Sequence, residues 1–145
     1  MITAEFIGIL KHVRDAYEIQ CKELCKELSM PQTALDILLF VSNEKTLHTA
    51  HEIHEVIQIK PNLISANVEK LVQAGYLERR CVPGDRRSVN LICTEKAKEI
   101  CERGKRIQIN YLKELWTDIS EDEFEVFISC LKRINNRALA IQKRR

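Results

Sequence analysis

Glycine and proline are scarce in this chain, at four and three of its 145 residues. With so few interruptions, long helices are expected. Apolar runs are short as well, and none approaches the roughly 18 residues that span a bilayer, so no membrane partner is expected. The first residues, M-I-T-A-E-F-I-G-I-L-K-H, hold an acid at Glu5 and lack a small-residue cleavage site. They argue against a secretory leader and for a cytoplasmic protein. The six cysteines, at 21, 25, 81, 93, 101 and 130, include no C-x-x-C and no Cys/His spacing of the zinc-finger kind. Reduced thiols are therefore expected, not a disulfide framework. There is also no G-x-G-x-x-G, no P-loop and no nucleophile elbow. No enzyme, catalytic residue, metal site or cofactor is expected.

What is present is a chain of one-domain length, read as a single domain over 1–145. Its net charge of +2 conceals an uneven distribution. Residues 1–75 carry 7 Lys/Arg against 10 Asp/Glu, and residues 76–145 carry 16 against 11. The excess begins at Arg79, and a local basic region points to a local anionic partner.

Helical periodicity dominates the chain. Phe6, Leu10, Val13, Tyr17, Cys21, Leu24 and Leu28 recur every three or four positions, which predicts an amphipathic helix of several turns. Ser29-Met30-Pro31 ends it. The next helix carries Ala34, Leu35, Ile37, Leu38, Leu39 and Val41, and should be buried. After a brief extended stretch at Thr46-Leu47-His48, Thr49-Ala50-His51-Glu52 reads as a capping box opening a short helix. Pro61 opens another, with Ile64, Val68, Leu71 and Val72 inward and Gly75 as its stop. Asn62, Ser65, Asn67, Lys70 and Gln73 are expected to face out. Two short helices arranged this way make a helix-turn-helix.

The period then switches to two. Leu77, Arg79 and Cys81 alternate with Glu78 and Arg80, and Val89, Leu91 and Cys93 alternate with Ser88, Asn90 and Ile92. This predicts a hairpin around Pro83-Gly84-Asp85, with Cys81 near Ser88 and Cys93 near Tyr76. Thr94 is placed to cap the following helix, which runs through Ile100, Ile107, Leu112 and Leu115. Ser120-Glu121-Asp122-Glu123 is a second capping box. It opens a last helix whose stripe from Phe124 to Ile141 is core or dimer interface.

A helix-turn-helix followed directly by a hairpin is a winged helix. The expected fold is mainly α (α+β), with the winged helix-turn-helix over about 31–93 and flanking helices over about 1–28 and 95–142. With the helix from Pro61 in a major groove, Asn62, Ser65, Asn67 and Lys70 would read base edges. Arg80, Arg86 and Arg87 on the hairpin would reach phosphates or a narrow minor groove. Asp85 is expected to accept hydrogen bonds from an arginine or from backbone N–H groups and hold the tip in one shape. Arg79 shares the parity of Leu77 and Cys81, so pairing with Glu78 or another local carboxylate is the alternative for it.

The stretch Asp85-Arg86-Arg87-Ser88-Val89-Asn90-Leu91-Ile92-Cys93-Thr94 resembles the D-x-R-x-x-x-(V/L)-x-L-T wing signature of MarR-type transcriptional regulators. The preceding L-V-Q-A-G-Y-L-E-R-R resembles the end of that family's recognition helix and the strand after it. The resemblance implies a homodimer through intertwined N- and C-terminal dimerisation helices, a palindromic double-stranded operator, and release of DNA on sensing a small molecule or oxidant. It implies that Asp85 orients, that Arg87 reaches the minor groove, and that Ser65 faces DNA. Ala66 stands where an arginine is frequent, and Cys93 and Ala97 replace the usual Leu and Gly of L-T-x-x-G. The implied effector cavity would draw on Tyr17, Phe40, Tyr111 and Trp116, each equally readable as core.

The function expected is that of a dimeric, sequence-specific DNA-binding transcriptional regulator, a repressor released by a signal. The alternatives are a winged helix used for protein–protein assembly and a sequence-indifferent architectural DNA-binding protein. Cys21 and Cys25, one turn apart, form a candidate redox pair, weighed against simple burial of Cys21. His48, His51 and His54 with Glu52 and Glu55 do not match the H-E-x-x-H order of zinc hydrolases, and an exposed helix face is the expected reading.

Overall fold

The computed structural model describes residues 2–44 and 49–144. The chain runs α1 (Ile2–Glu27), α2 (Gln32–Asn43), α3 (Ala50–Ile57), α4 (Pro61–Gln73), β1 (Leu77–Val82), β2 (Asp85–Cys93), a 3₁₀ turn (Glu95–Ala97), α5 (Lys98–Leu115) and α6 (Glu121–Gln142). It is mainly helical with one two-stranded antiparallel sheet, as the periodicities predict. The extended stretch expected at 46–48 lies outside the described residues. The chain divides into two compact units, residues 1–109 and 110–145, the boundary falling within α5.

The first unit is built around α2. This helix buries Ala34, Leu35, Ile37, Leu38, Leu39 and Val41, as expected of a helix that is apolar on most sides. Cys21 and Leu24 of α1, Ile53 of α3, Ile64, Val68 and Leu71 of α4, Leu77 and Leu91 of the sheet, and Ile100 of α5 complete the same core. Each fully buried aliphatic side chain contributes roughly 1.5–3 kcal/mol. The stripe of α1 divides along its length: Cys21 and Leu24 are buried, while Phe6 and Leu10 remain 53 and 54% exposed. Ser29, at φ 49°, ends α1. There the Met30 N–H reaches back to the Cys25 carbonyl at 2.9 Å, closing a Schellman turn.

Gly104 of α5 permits a close helix contact. A Cβ at this position would press on the end of the Leu39 side chain, so glycine lets α5 lie against Leu39 of α2 without displacing it.

Thr94 does not cap a helix with its side chain, contrary to expectation. Its hydroxyl donates instead to the carbonyls of Gly75 (2.5 Å) and Tyr76 (3.3 Å), across the base of the hairpin. The hairpin returns beside the end of α4, where those carbonyls stand open, and this non-local demand prevails over the local cap. Lys96 Nζ adds a bond to the Ala74 carbonyl at 2.6 Å and lies 4.8 Å above the Tyr76 ring.

In the second unit, the Ser120 capping box forms as expected. Ser120 N–H donates to Glu123 Oε2 at 2.8 Å, and Glu123 N–H donates to Ser120 Oγ at 3.3 Å. Trp116 packs edge-on against Phe124 and Phe127 at centroid distances of 4.8 and 5.2 Å. No residue of α6 is buried. No helix among the described residues is long and apolar enough to cross a membrane.

Candidate nucleic-acid interface

The two helices of the helix-turn-helix are set by their ends. α3 begins with the expected capping box, in which Thr49 N–H donates to Glu52 Oε2 at 2.8 Å and Glu52 N–H to Thr49 Oγ1 at 3.2 Å. Gln58 at φ 55° stops it. His54 Nδ1 lies 2.7 Å from the Ile59 carbonyl, so one ring nitrogen is committed to holding the turn. Pro61 then occupies the first position of α4, and the Lys60 carbonyl accepts from Leu63 and Ile64.

α4 presents Asn62, Ser65, Ala66, Glu69, Lys70 and Gln73 to solvent. Asn67 is not among them, and its expected outward orientation is corrected: it is only 7% exposed. Asn67 sits three residues after Ile64 and four before Leu71, so it shares the buried face. Its Nδ2 donates to the Leu63 carbonyl at 2.8 Å, and its Oδ1 finds no donor among the described residues. That spacing was visible in the sequence and outweighs residue polarity as a guide.

The hairpin tip takes its shape from Asp85. Its Oδ1 accepts the Arg87 N–H at 2.9 Å, and its Oδ2 accepts the Ser88 hydroxyl at 2.7 Å. The Ser88 hydroxyl, and then the Arg87 N–H, hold the carboxyl below its usual range. Gly84, at φ 83°, supplies the positive φ that a Pro-Gly turn requires. The register jumps from Val82↔Asp85 to Cys81↔Val89, so Arg86, Arg87 and Ser88 form a bulge on β2. Cys81 therefore faces Val89, and Cys93 faces Leu77, each one residue from the expected position. The three-residue bulge shaped by Asp85 is the reason.

The arginines separate into two kinds. Arg79 Nη2 bonds Glu69 Oε2 of α4 at 2.7 Å, and Arg80 Nη2 bonds Glu78 Oε2 at 3.2 Å. Arg86 and Arg87 are exposed, and no carboxylate among the described residues lies in ion-pair reach of either. Glu69 and Ser88 were missed from the sequence. Glu69 is one turn beyond Ser65 on the same face, and Ser88 lies three residues after Asp85, so both had local signals.

Tyr17 and Phe40 line one cavity of about 260 Å³ with Arg14, Asp36 and Gln108. Gln108 Nε2 donates to the Tyr17 hydroxyl at 3.1 Å, and Arg14 Nη2 pairs with Asp36 at 2.9 Å. Burial raises the Asp36 carboxyl above its usual range, against the stabilising bonds from Gln32 and Arg14. Tyr111 and Trp116 belong to the second unit. The candidate redox pair does not have the surroundings of a reactive one: Cys21 is fully buried, and burial raises the Cys25 thiol.

The sequence profile described as "MarR family" matches residues 28–88, the segment that holds α2–α4 and the wing tip. Over this segment the chain is similar to the MarR family. Members of the MarR family are transcriptional regulators, not enzymes. The chain is 24% identical over 114 residues to YdgJ of Bacillus subtilis (strain 168), described as an uncharacterized HTH-type transcriptional regulator; the alignment covers 79% of this chain and 68% of that relative. Among solved structures it resembles the transcriptional regulator PA3341 with a TM-score of 0.80 at 21% identity, covering 97% of this chain and 99% of that one. It also resembles a cysteine-to-serine mutant of E. coli MarR complexed with operator DNA, with a TM-score of 0.65 at 22% identity, covering 88% of this chain and 92% of that one. The likeness to these two solved structures carries the fold.

Proposed function

We propose that this chain is a sequence-specific transcriptional regulator that binds duplex DNA as a homodimer and acts as a repressor. The observation that carries the reading is the pair Arg86 and Arg87, unpaired with any described carboxylate, on a tip whose shape Asp85 holds through Arg87 N–H and the Ser88 hydroxyl. Asn62, Ser65 and Lys70 would contact base edges, and Arg86 and Arg87 would contact phosphate or minor groove. Arg80, held only by its exposed neighbour Glu78, is a weaker backbone contact. The relative in complex with operator DNA supports a duplex as the partner. Such a protein would act in the cytoplasm.

Homodimerisation is supported by uncovered apolar side chains. Phe6, Ile7 and Leu10 of α1 and Phe127, Leu131 and Ile134 of α6 are each 40% or more exposed. A second copy covering them is the simplest remedy. Release by a small molecule is supported by the cavity at Tyr17 and Phe40, whose Arg14, Asp36 and Gln108 offer a compact ligand both charge and hydrogen bonds.

The experiment is selection from a random duplex pool with sequencing of the bound fraction. Enrichment of a palindrome with half-sites about one helical turn apart is expected. Binding without an enriched motif would instead favour an architectural role. Absence of binding at low salt would mean that the wing faces an acidic protein.

A further inference from the structure

α4 turns by about 100° per residue, so its buried positions fix what its open face presents. Ile64, Asn67, Val68 and Leu71 are buried, and the direction opposite them passes within about 30° of Asn62, Ala66, Glu69 and Gln73. Ser65 and Lys70 stand to either side of that line, and all of these outward residues are exposed.

The central side chains differ in what they can offer. Glu69 is engaged at both oxygens: Oε2 accepts from Arg79 Nη2 at 2.7 Å, and Oε1 accepts from Gln73 Nε2 at 3.2 Å. Gln73 is tied into the same network. Ala66 lies one turn after Asn62 and one turn before Lys70, and it carries only a methyl group. Leu63, three residues earlier and 47% exposed, borders it with further apolar surface. The middle of the face is therefore a small apolar patch between polar side chains.

In a major groove, the base edge beneath such a patch meets no hydrogen-bonding side chain. Thymine alone among the four bases presents an apolar group there, its C5 methyl, and alanine is among the side chains that contact it. A side chain this short also leaves the helix free to approach the groove floor.

We propose that Ala66 is a specificity-determining residue that reads one thymine in each half-site through its C5 methyl. This role rests on the duplex-binding reading above and adds a base to it. Asn62 and Ser65 act by hydrogen bonds, whereas Ala66 acts by apolar contact. Ala66 stands about 6 Å along α4 from Asn62, and base pairs rise by about 3.4 Å. The thymine should therefore fall within about two base pairs of the base that Asn62 contacts.

The test starts from the half-site enriched by the duplex selection. Each thymine is replaced in turn by deoxyuridine, symmetrically in both half-sites, which removes one methyl and keeps every hydrogen-bonding group. One thymine near the Asn62 position should lose affinity by about fourfold per half-site, the scale of one buried methyl group. In Ala66→Gly the thymine and uracil duplexes should bind alike. Comparing two duplexes within one variant removes any general effect of glycine on the helix. An enriched half-site with no methyl-sensitive thymine, or sensitivity that persists in Ala66→Gly, would overturn the role of Ala66 and leave duplex recognition standing. A chain that enriches no duplex would overturn duplex recognition itself, and this role with it. 5-Bromouracil at the sensitive thymine, photolysed on the unsubstituted chain, should crosslink within residues 63–66. A crosslink elsewhere would count against Ala66 even where the glycine variant fails to fold.

Discussion

Arg79 of β1 donates to Glu69 of α4 at 2.7 Å, tying the hairpin to the exposed face of α4. The bond holds the Glu69 carboxyl below its usual range. In the proposed duplex complex it would also neutralise a carboxylate on the face carrying Asn62 and Ser65. Arg79→Ala should therefore weaken duplex binding, and adding Glu69→Gln should recover much of the loss. Fluorescence anisotropy at fixed salt measures both. If the single and double variants bind alike, the bond does not mask charge.

Arg87 stands at the tip without a described carboxylate partner, so its charge is available to phosphate. Arg87→Ala should weaken binding to all duplexes similarly and reduce the slope of log K against log salt by about 1. A titration series across salt concentrations gives that slope. An unchanged slope would remove Arg87 from the phosphate contacts.

Asn62 and Asn67 should behave as opposites. Asn62 is exposed near the start of α4, and Asn62→Ala should relax base preference at one position of each half-site. Asn67 is buried, with one satisfied and one orphaned amide atom, so Asn67→Ala should alter stability by about 1 kcal/mol or less and leave base preference intact. Repeating the duplex selection with each variant distinguishes them.

Asp85 links the wing to pH. Its carboxyl is depressed by the Ser88 hydroxyl and the Arg87 N–H, so the ionised form is favoured in the folded tip. The contribution is complete above the unfolded value of about 3.9 and is lost only as pH falls through the lower folded value. Hydrogen exchange corrected for intrinsic rate should show constant protection at the Arg87 amide from neutral pH to about 5. Asp85→Ala should lose that protection at every pH.

Gly104→Ala should destabilise the first unit by roughly 1–3 kcal/mol, the usual cost of overpacking. The added methyl would meet Leu39 Cδ2 at 2.4 Å. Combining it with Leu39→Ala should give less than the sum of the two losses, because each change makes room for the other. Urea midpoints for the four proteins measure the coupling.

The sequence by itself determined what depends on near neighbours. Capping boxes at Thr49 and Ser120, the stop at Gly75, the switch from helical period to alternation near Leu77, and the role of Asp85 all involve residues within about four positions of one another. The winged-helix element order and the basic wing followed from these. What the tertiary structure decided involves partners farther apart in the chain: Arg79 with Glu69 across 10 residues, Thr94 with Gly75 across 19, Cys93 with Leu38 across 55. The bulge at Arg86–Ser88 shifted the register although its cause was local, because pairing counts residues on both strands. Gly104 carried no local signal at all, since its reason is Leu39 on another helix. Hydrogen-bonding demand and close packing are satisfied wherever the fold brings groups together, and that placement is a property of the whole chain.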